Sequence, residues 1–213
     1  MQLQNAYKGL KKLNFGLILL AFGALYALVL QLVLFIKGSA MITAENAALL
    51  TIIQGIFALG ILVLGLGGLF LMFIGVLSAK KDEERFQYAL YAILAGILLS
   101  ILDNSLKGLS PAFQISLRVL SVIRLILMFR FILSGVESLA EKVNDSVIRN
   151  YAHKTWWKTL LILAVVAVSH PFLVLLENGT LTGILRVIGF VLNIAAYTLL
   201  TSVVGLAAKM LKD

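Results

Sequence analysis

The chain has no cysteine, two prolines, two histidines and, at 13%, little charge. The missing cysteine removes disulfides, thiolate nucleophiles, iron–sulfur clusters and cysteine-based zinc sites. Two prolines leave long helices almost uninterrupted. Soluble domains carry about 25% charged residues. A chain that is 61% hydrophobic cannot cover its core with polar surface, so it reads as an integral membrane protein. A further absence concerns placement: no Asp or Glu falls well inside an apolar run. That argues against proton-coupled transport through buried carboxylates and against an intramembrane aspartyl protease.

What is present is a succession of long apolar segments. Six qualify as spans: 13–36, 47–79, 86–102, 112–136, 159–176 and 181–208. The first, Leu13 to Ile36, is longer than the ~7–15 residues of a signal-peptide core, so it is expected to be retained. The expected fold is all-α, one six-transmembrane-helix bundle with no separate soluble domain. Trp156 and Trp157 stand where an interfacial belt belongs. Pro171 should bend the fifth span.

Charge sets the orientation. With a cytoplasmic N-terminus, that side holds Lys8, Lys11, Lys12, Lys80, Lys81, Arg85, Lys142, Arg149, Lys154, Lys158, Lys209 and Lys212. The outer side holds Lys37 and Lys107. The positive-inside rule then predicts both termini in the cytoplasm, in a multi-pass protein of the cytoplasmic membrane. The formal charge of +8 does not imply nucleic acid, because the cations flank apolar runs where anionic headgroups lie. The lipid bilayer is the expected partner.

The longest cytoplasmic segment, 137–158, repeats apolar residues at helical spacing, among them Leu139, Val143 and Val147. It is expected either to extend the fourth helix or to lie on the membrane surface, where those three residues form a candidate docking face for another subunit. The second span is rich in glycine, with Gly60, Gly67 and Gly75 near one face. Ala92, Gly96 and Ser100 form a small-residue stripe on the third. Such stripes let helix backbones approach in lipid, within one bundle or between copies of the chain.

The fourth span poses the chemical question. "LRVLSVIRLILMFRF" carries Arg118, Arg124 and Arg130, six residues apart. A voltage-sensor stripe is the first thought. However, six residues turn about 240° around a helix, so the three point in different directions, and no carboxylate is available to exchange partners. Arg118 and Arg130, each about 9 Å from Arg124, can reach opposite interfaces. Arg124 has no such exit, and a central arginine costs roughly 2.5–3.5 kcal/mol. It must face protein or water. Asn193, Gln54, Gln31, Arg118, Arg186 and His170 are the intramembrane polar residues that can share a site with it, an outward vestibule suited to an anionic or amide-bearing solute. His170 has no second intramembrane histidine for haem and no visible ligand set for zinc, so no cofactor or metal is expected. No acid–base or nucleophile–base pair stands out, and the expectation is a non-enzymatic protein: a solute-binding or transport protein, or the membrane subunit of a transport complex. The alternative is a scaffold or sensor working through helix contacts and the 137–158 segment.

Overall fold

A computed structural model describes residues 3–38, 44–105, 110–175 and 180–212. They form six helices: α1 Gln4–Gly38, α2 Ala44–Ala79, α3 Arg85–Ser105, α4 Pro111–Lys142, α5 Ser146–Leu175 and α6 Thr180–Met210. Each packs on the next, α6 returns to α1, and α4 reaches across to α6. Among the described residues no Cα of α1 or α2 comes within 8 Å of one in α4. The start of α1 and the end of α6 lie at the same end of the bundle, together with the α2–α3 and α4–α5 turns. That end collects most of the lysines and arginines and is called the basic end below.

Among the described residues five helices, α1, α2, α3, α4 and α6, are long and apolar enough to cross a membrane. Helix α5 is not one of them. Its first half carries Arg149, Lys154 and Lys158 and belongs to the basic end. It continues through Pro171 to Leu175.

Two helices begin well before the apolar runs that announce them. The first turns of α1 bury Leu3, Ala6, Leu10, Leu13 and Leu17 and leave Lys8, Lys11 and Lys12 exposed. The first half of α5 buries Ala152, Thr155, Thr159 and Leu163 in the same manner. Spacings of three and four put each set on one helical face. The segment 137–158 is therefore not one amphipathic helix. α4 runs to Lys142 and ends in a Schellman motif: Asn144 takes the left-handed conformation (φ 58°), and the Asp145 amide donates to the Ala140 carbonyl at 2.8 Å. Asp145 then caps α5, accepting from the Val147 and Ile148 amides at 3.0 Å each.

Helices α1 and α2 make the closest pair. Glycines at 9, 16 and 23 on α1 run antiparallel to glycines at 68 and 75 on α2. A Cβ at Gly75 would lie 2.5 Å from the Leu13 nitrogen, and one at Gly16 would lie 2.7 Å from the Gly68 oxygen. Backbone meets backbone here, as small-residue packing in lipid requires. Gly60 faces the Tyr26 ring, while Gly55 and Gly65 meet nothing within 4 Å. Most of the glycine face of α2 is thus spent on α1.

The packed core sits toward the basic end. It includes Met72, Phe86, Phe129, Ile132, Leu133 and Leu163. Among the described residues α1 buries no apolar side chain beyond Leu17, α2 none before Met72, and α6 none before Ala196. The bundle is tight at one end and loose at the other.

A clasp of charges closes the tight end. Leu3, at the N-cap position of α1, has no side-chain acceptor, and Asp82 from the α2–α3 turn does the capping instead. It accepts from the Ala6 amide at 2.7 Å and from Asn5 Nδ2 at 3.0 Å. Next to it, buried Glu83 accepts from Lys142 Nζ and Ser138 Oγ, both at 2.7 Å. Lys142 also donates to the Asp82 carbonyl, and Arg85 donates to Ser134. Burial alone would push the Glu83 carboxyl up. The hydrogen bonds from Lys142, Ser138 and the Arg85 amide outweigh it and hold the group below the usual glutamate range. A carboxyl lowered in the fold contributes stability that is complete above its unfolded value and lost as pH falls through its folded one. Melting temperature should therefore drop as detergent-solubilised protein is taken below about pH 4. In Glu83→Gln that drop should be shallower and neutral-pH stability lower. Parallel wild-type and variant pH profiles would show that Glu83 does not carry the effect.

Candidate functional site

The three arginines of α4 part company, as their spacing implies. Arg130 belongs to the basic end. It pairs with Glu137 Oε1 at 3.5 Å and lies over the Trp156 ring, 5.3 Å from its centre. His153 Nδ1 stands 3.7 Å from the same carboxylate oxygen. Arg118, half-buried, lies about three turns away toward the loose end.

Arg124 crosses from α4 onto α3. Its guanidinium lies where a Cβ on Gly96 would be, in contact with that glycine. Any larger residue at 96 would displace it. Ser100, one turn on, turns its hydroxyl back to the Gly96 carbonyl at 2.9 Å. The guanidinium finds little in return. Nε is buried and has no hydrogen-bond partner, and Nη1 reaches only the Met128 sulfur at 4.0 Å, a weak acceptor. Among the described residues no carboxylate pairs with Arg124.

This cation forms part of the wall of a groove of about 510 Å³ between α3 and α4. The rest of the lining is Tyr88, Tyr91, Ala92, Ala95, Leu98 and Leu99 from α3, with Leu120, Ile123, Leu127 and Phe131 from α4. The Tyr88 and Phe131 rings meet at 5.4 Å and narrow it toward the basic end. The groove opens on the flank of the bundle, where Tyr91, Leu98 and Ile123 are exposed.

The other polar residues expected around Arg124 do not gather there. Asn193 donates to the carbonyl of its own Gly189 at 3.0 Å. Arg186 is exposed on α6. Gln54 and Gln31 lie on α2 and α1, whose backbones stay more than 8 Å from that of α4. The register of that pair puts them at one level, and the Gln54 Nε2 is buried without a partner. The His170 side chain falls outside the described residues. Among the described residues none of Asn193, Arg186, Gln54 and Gln31 hydrogen-bonds Arg124 or lines its groove. Of the candidate docking residues, Leu139 is fully buried in the bundle and is unavailable to a partner, because α4 turns that face inward. Val143 and Val147 are 40% and 76% exposed at the α4–α5 turn.

Sequence reasoning missed the aromatic lining of the groove and Gly96 as the seat of Arg124. The stripe Ala92–Gly96–Ser100 was the available signal: it predicts close approach, and what approaches at Gly96 is a side chain. It also missed Asn14, which faces Gly205 with a buried, unpaired Oδ1, and the buried Thr159 hydroxyl, likewise unpaired. A second groove of about 320 Å³ between α1 and α6 is lined by Thr198, Thr201 and Ser202. These hydroxyls all donate to their own helix, so that groove offers no free donor.

The class these features define is an all-α bundle with several helices able to cross a membrane, compatible with a multi-pass membrane protein. No family model, curated protein or solved structure matches the chain.

Proposed function

We propose that this chain is a non-enzymatic membrane protein that binds a small anionic ligand at Arg124, as a binding or transport protein or as the membrane subunit of a transport complex. On this reading six helices cross the cytoplasmic membrane, the basic end faces the cytoplasm, and both termini lie there. The carrying observation is the isolation of Arg124. A cation midway along an apolar helix, with a buried donor unsatisfied and a glycine opposite that makes room for it, is costly to keep for packing alone. An anion would complete it, since charge-assisted bonds to a guanidinium are strong and directional.

A thermal-shift screen of small anions against detergent-solubilised protein tests the proposal. One or more should raise the melting temperature of the wild type and leave Arg124→Gln unmoved. An anion that stabilises both proteins alike, or none that stabilises the wild type, would overturn it. A reporter fused after Asp213 should read as cytoplasmic.

The alternative, a scaffold that docks a partner at the α4–α5 turn, is supported by the exposure of Val143 and Val147 there. In that case Val147→Asp should release a co-purifying protein and leave the bundle folded.

A further inference from the structure

We propose that the ligand of Arg124 is a long-chain carboxylate that enters sideways from the bilayer, its head on the guanidinium and its chain in the α3–α4 groove. This rests on the reading of Arg124 as a ligand site and names the ligand's class.

Three features support it. The first is the direction of access. The groove opens on the flank of the bundle, and its rim residues are apolar and exposed. In a membrane that flank faces hydrocarbon. A water-soluble anion would have to cross lipid to reach Arg124, whereas an amphiphile is already there.

The second is shape. From Tyr88 to Leu99 on α3 the lining extends eleven residues, or about 16 Å of helix. Gly96, and with it Arg124, stands toward the loose end of this length. An apolar channel therefore continues from the cation toward the basic end, along Leu127 to the Tyr88–Phe131 contact. A volume of about 510 Å³ falls within the range of ligand sites, about 300–1,000 Å³. The exposed lining of the slot is almost wholly apolar, and the Arg124 guanidinium is recessed at its side against Gly96. A single-chain amphiphile matches that shape, its carboxylate meeting the guanidinium as it turns away from Gly96.

The third is charge. Arg124 is the one cation in the lining. It matches a monoanion, and a dianionic phosphate would remain half-compensated. Gly96 also lies seven residues from Asp103, at the far end of α3, or about 10 Å along the axis. A phospholipid phosphate is fixed at the bilayer surface, whereas a fatty-acid carboxylate paired with a guanidinium can sit at that depth.

The test uses the full chain in phosphatidylcholine nanodiscs, titrated with radiolabelled palmitate, methyl palmitate or acetate against empty discs. Palmitate should bind saturably, and about tenfold or more weakly in Arg124→Gln. Ala95→Phe, which fills the groove and leaves the arginine in place, should lose palmitate as well, with Leu127→Trp as a second blocking variant if the first fails to fold. Methyl palmitate should bind the wild type no better than palmitate binds Arg124→Gln. If methyl palmitate equals palmitate, the groove does not read charge and the proposal fails. If acetate binds through Arg124 and palmitate does not, sideways entry is wrong and the anion site stands. If neither carboxylate depends on Arg124, the inference and the anion-site reading fall together.

Discussion

Arg124→Met is expected to make the ligand-free protein more stable. Most substitutions at half-buried positions destabilise. Here the native residue is the expensive one. Nε has no partner, Nη1 has only a sulfur 4.0 Å away, and no carboxylate lies within the apolar part of any span. Methionine keeps an unbranched apolar stem of similar reach and removes the charge. A central arginine costs roughly 2.5–3.5 kcal/mol, part of which the Met128 sulfur and the Gly96 backbone offset. A gain of about 1–3 kcal/mol is expected, or several degrees in a chain of this length. Melting curves in a neutral detergent, without added lipid, would measure it. A loss of more than about 1 kcal/mol would instead make Arg124 a structural bridge from α4 to α3, because only a net favourable contact can be missed on deletion. Residues that lower stability at a site are commonly those that function retains.

The second large effect is expected where α1 meets α2. Gly75→Ala places a methyl 2.5 Å from the Leu13 nitrogen and 2.8 Å from the Gly9 oxygen. Both obstacles are backbone and cannot rotate aside, so the helices must move apart. Overpacking of this kind costs about 1–3 kcal/mol, and more where nothing can yield. Gly65→Ala, on the same helix, meets nothing within 4 Å. It should be neutral or stabilising by up to about 1 kcal/mol, since alanine is the better helix former. Melting temperatures of the two variants, measured side by side, separate interhelical closeness from helix propensity. Equal effects would mean that α1 and α2 do not approach through these glycines. Gly9→Ala should resemble Gly75→Ala, and the double variant should fall short of the sum, because the two share one contact.

Much of the helix plan is legible in the sequence, because a bilayer demands uninterrupted apolar runs and those announce themselves. The starts of α1 and α5 are not, for a physical reason. At the basic end a helix needs only one buried face, so charges interrupt the run while the stripe continues beneath them. Ala6, Leu10 and Leu13 do this on α1. On α5, Thr155 and Thr159 hide the stripe by being polar. The turn "KKDEER" reads as a solvated charge cluster, yet Glu83 within it is buried, since Ser138 and Lys142 arrive from a helix more than fifty residues along the chain. The isolation of Arg124 is legible because no acid lies in any span. Its seat is not, because Gly96 becomes its neighbour only through the pairing of α3 with α4. The gathering of Asn193, Gln54, Gln31 and Arg186 around it was inferred from depth alone. Depth does not fix position around a ring of helices, and these residues lie on others of its members.

The cap on α1 has a consequence for the order in which the chain takes shape. The amide of Ala6 is satisfied by a carboxylate 76 residues later in the sequence. A nascent chain that has delivered only its first helix to the membrane therefore carries an unfinished N-terminus, with free amides at its leading turn. That turn is completed when α2 has folded back along the glycines and brought Asp82 alongside. The first stable unit during synthesis is then the α1–α2 hairpin together with its following turn. A ribosome stalled before residue 82 should hold a first helix whose opening turns exchange hydrogen freely.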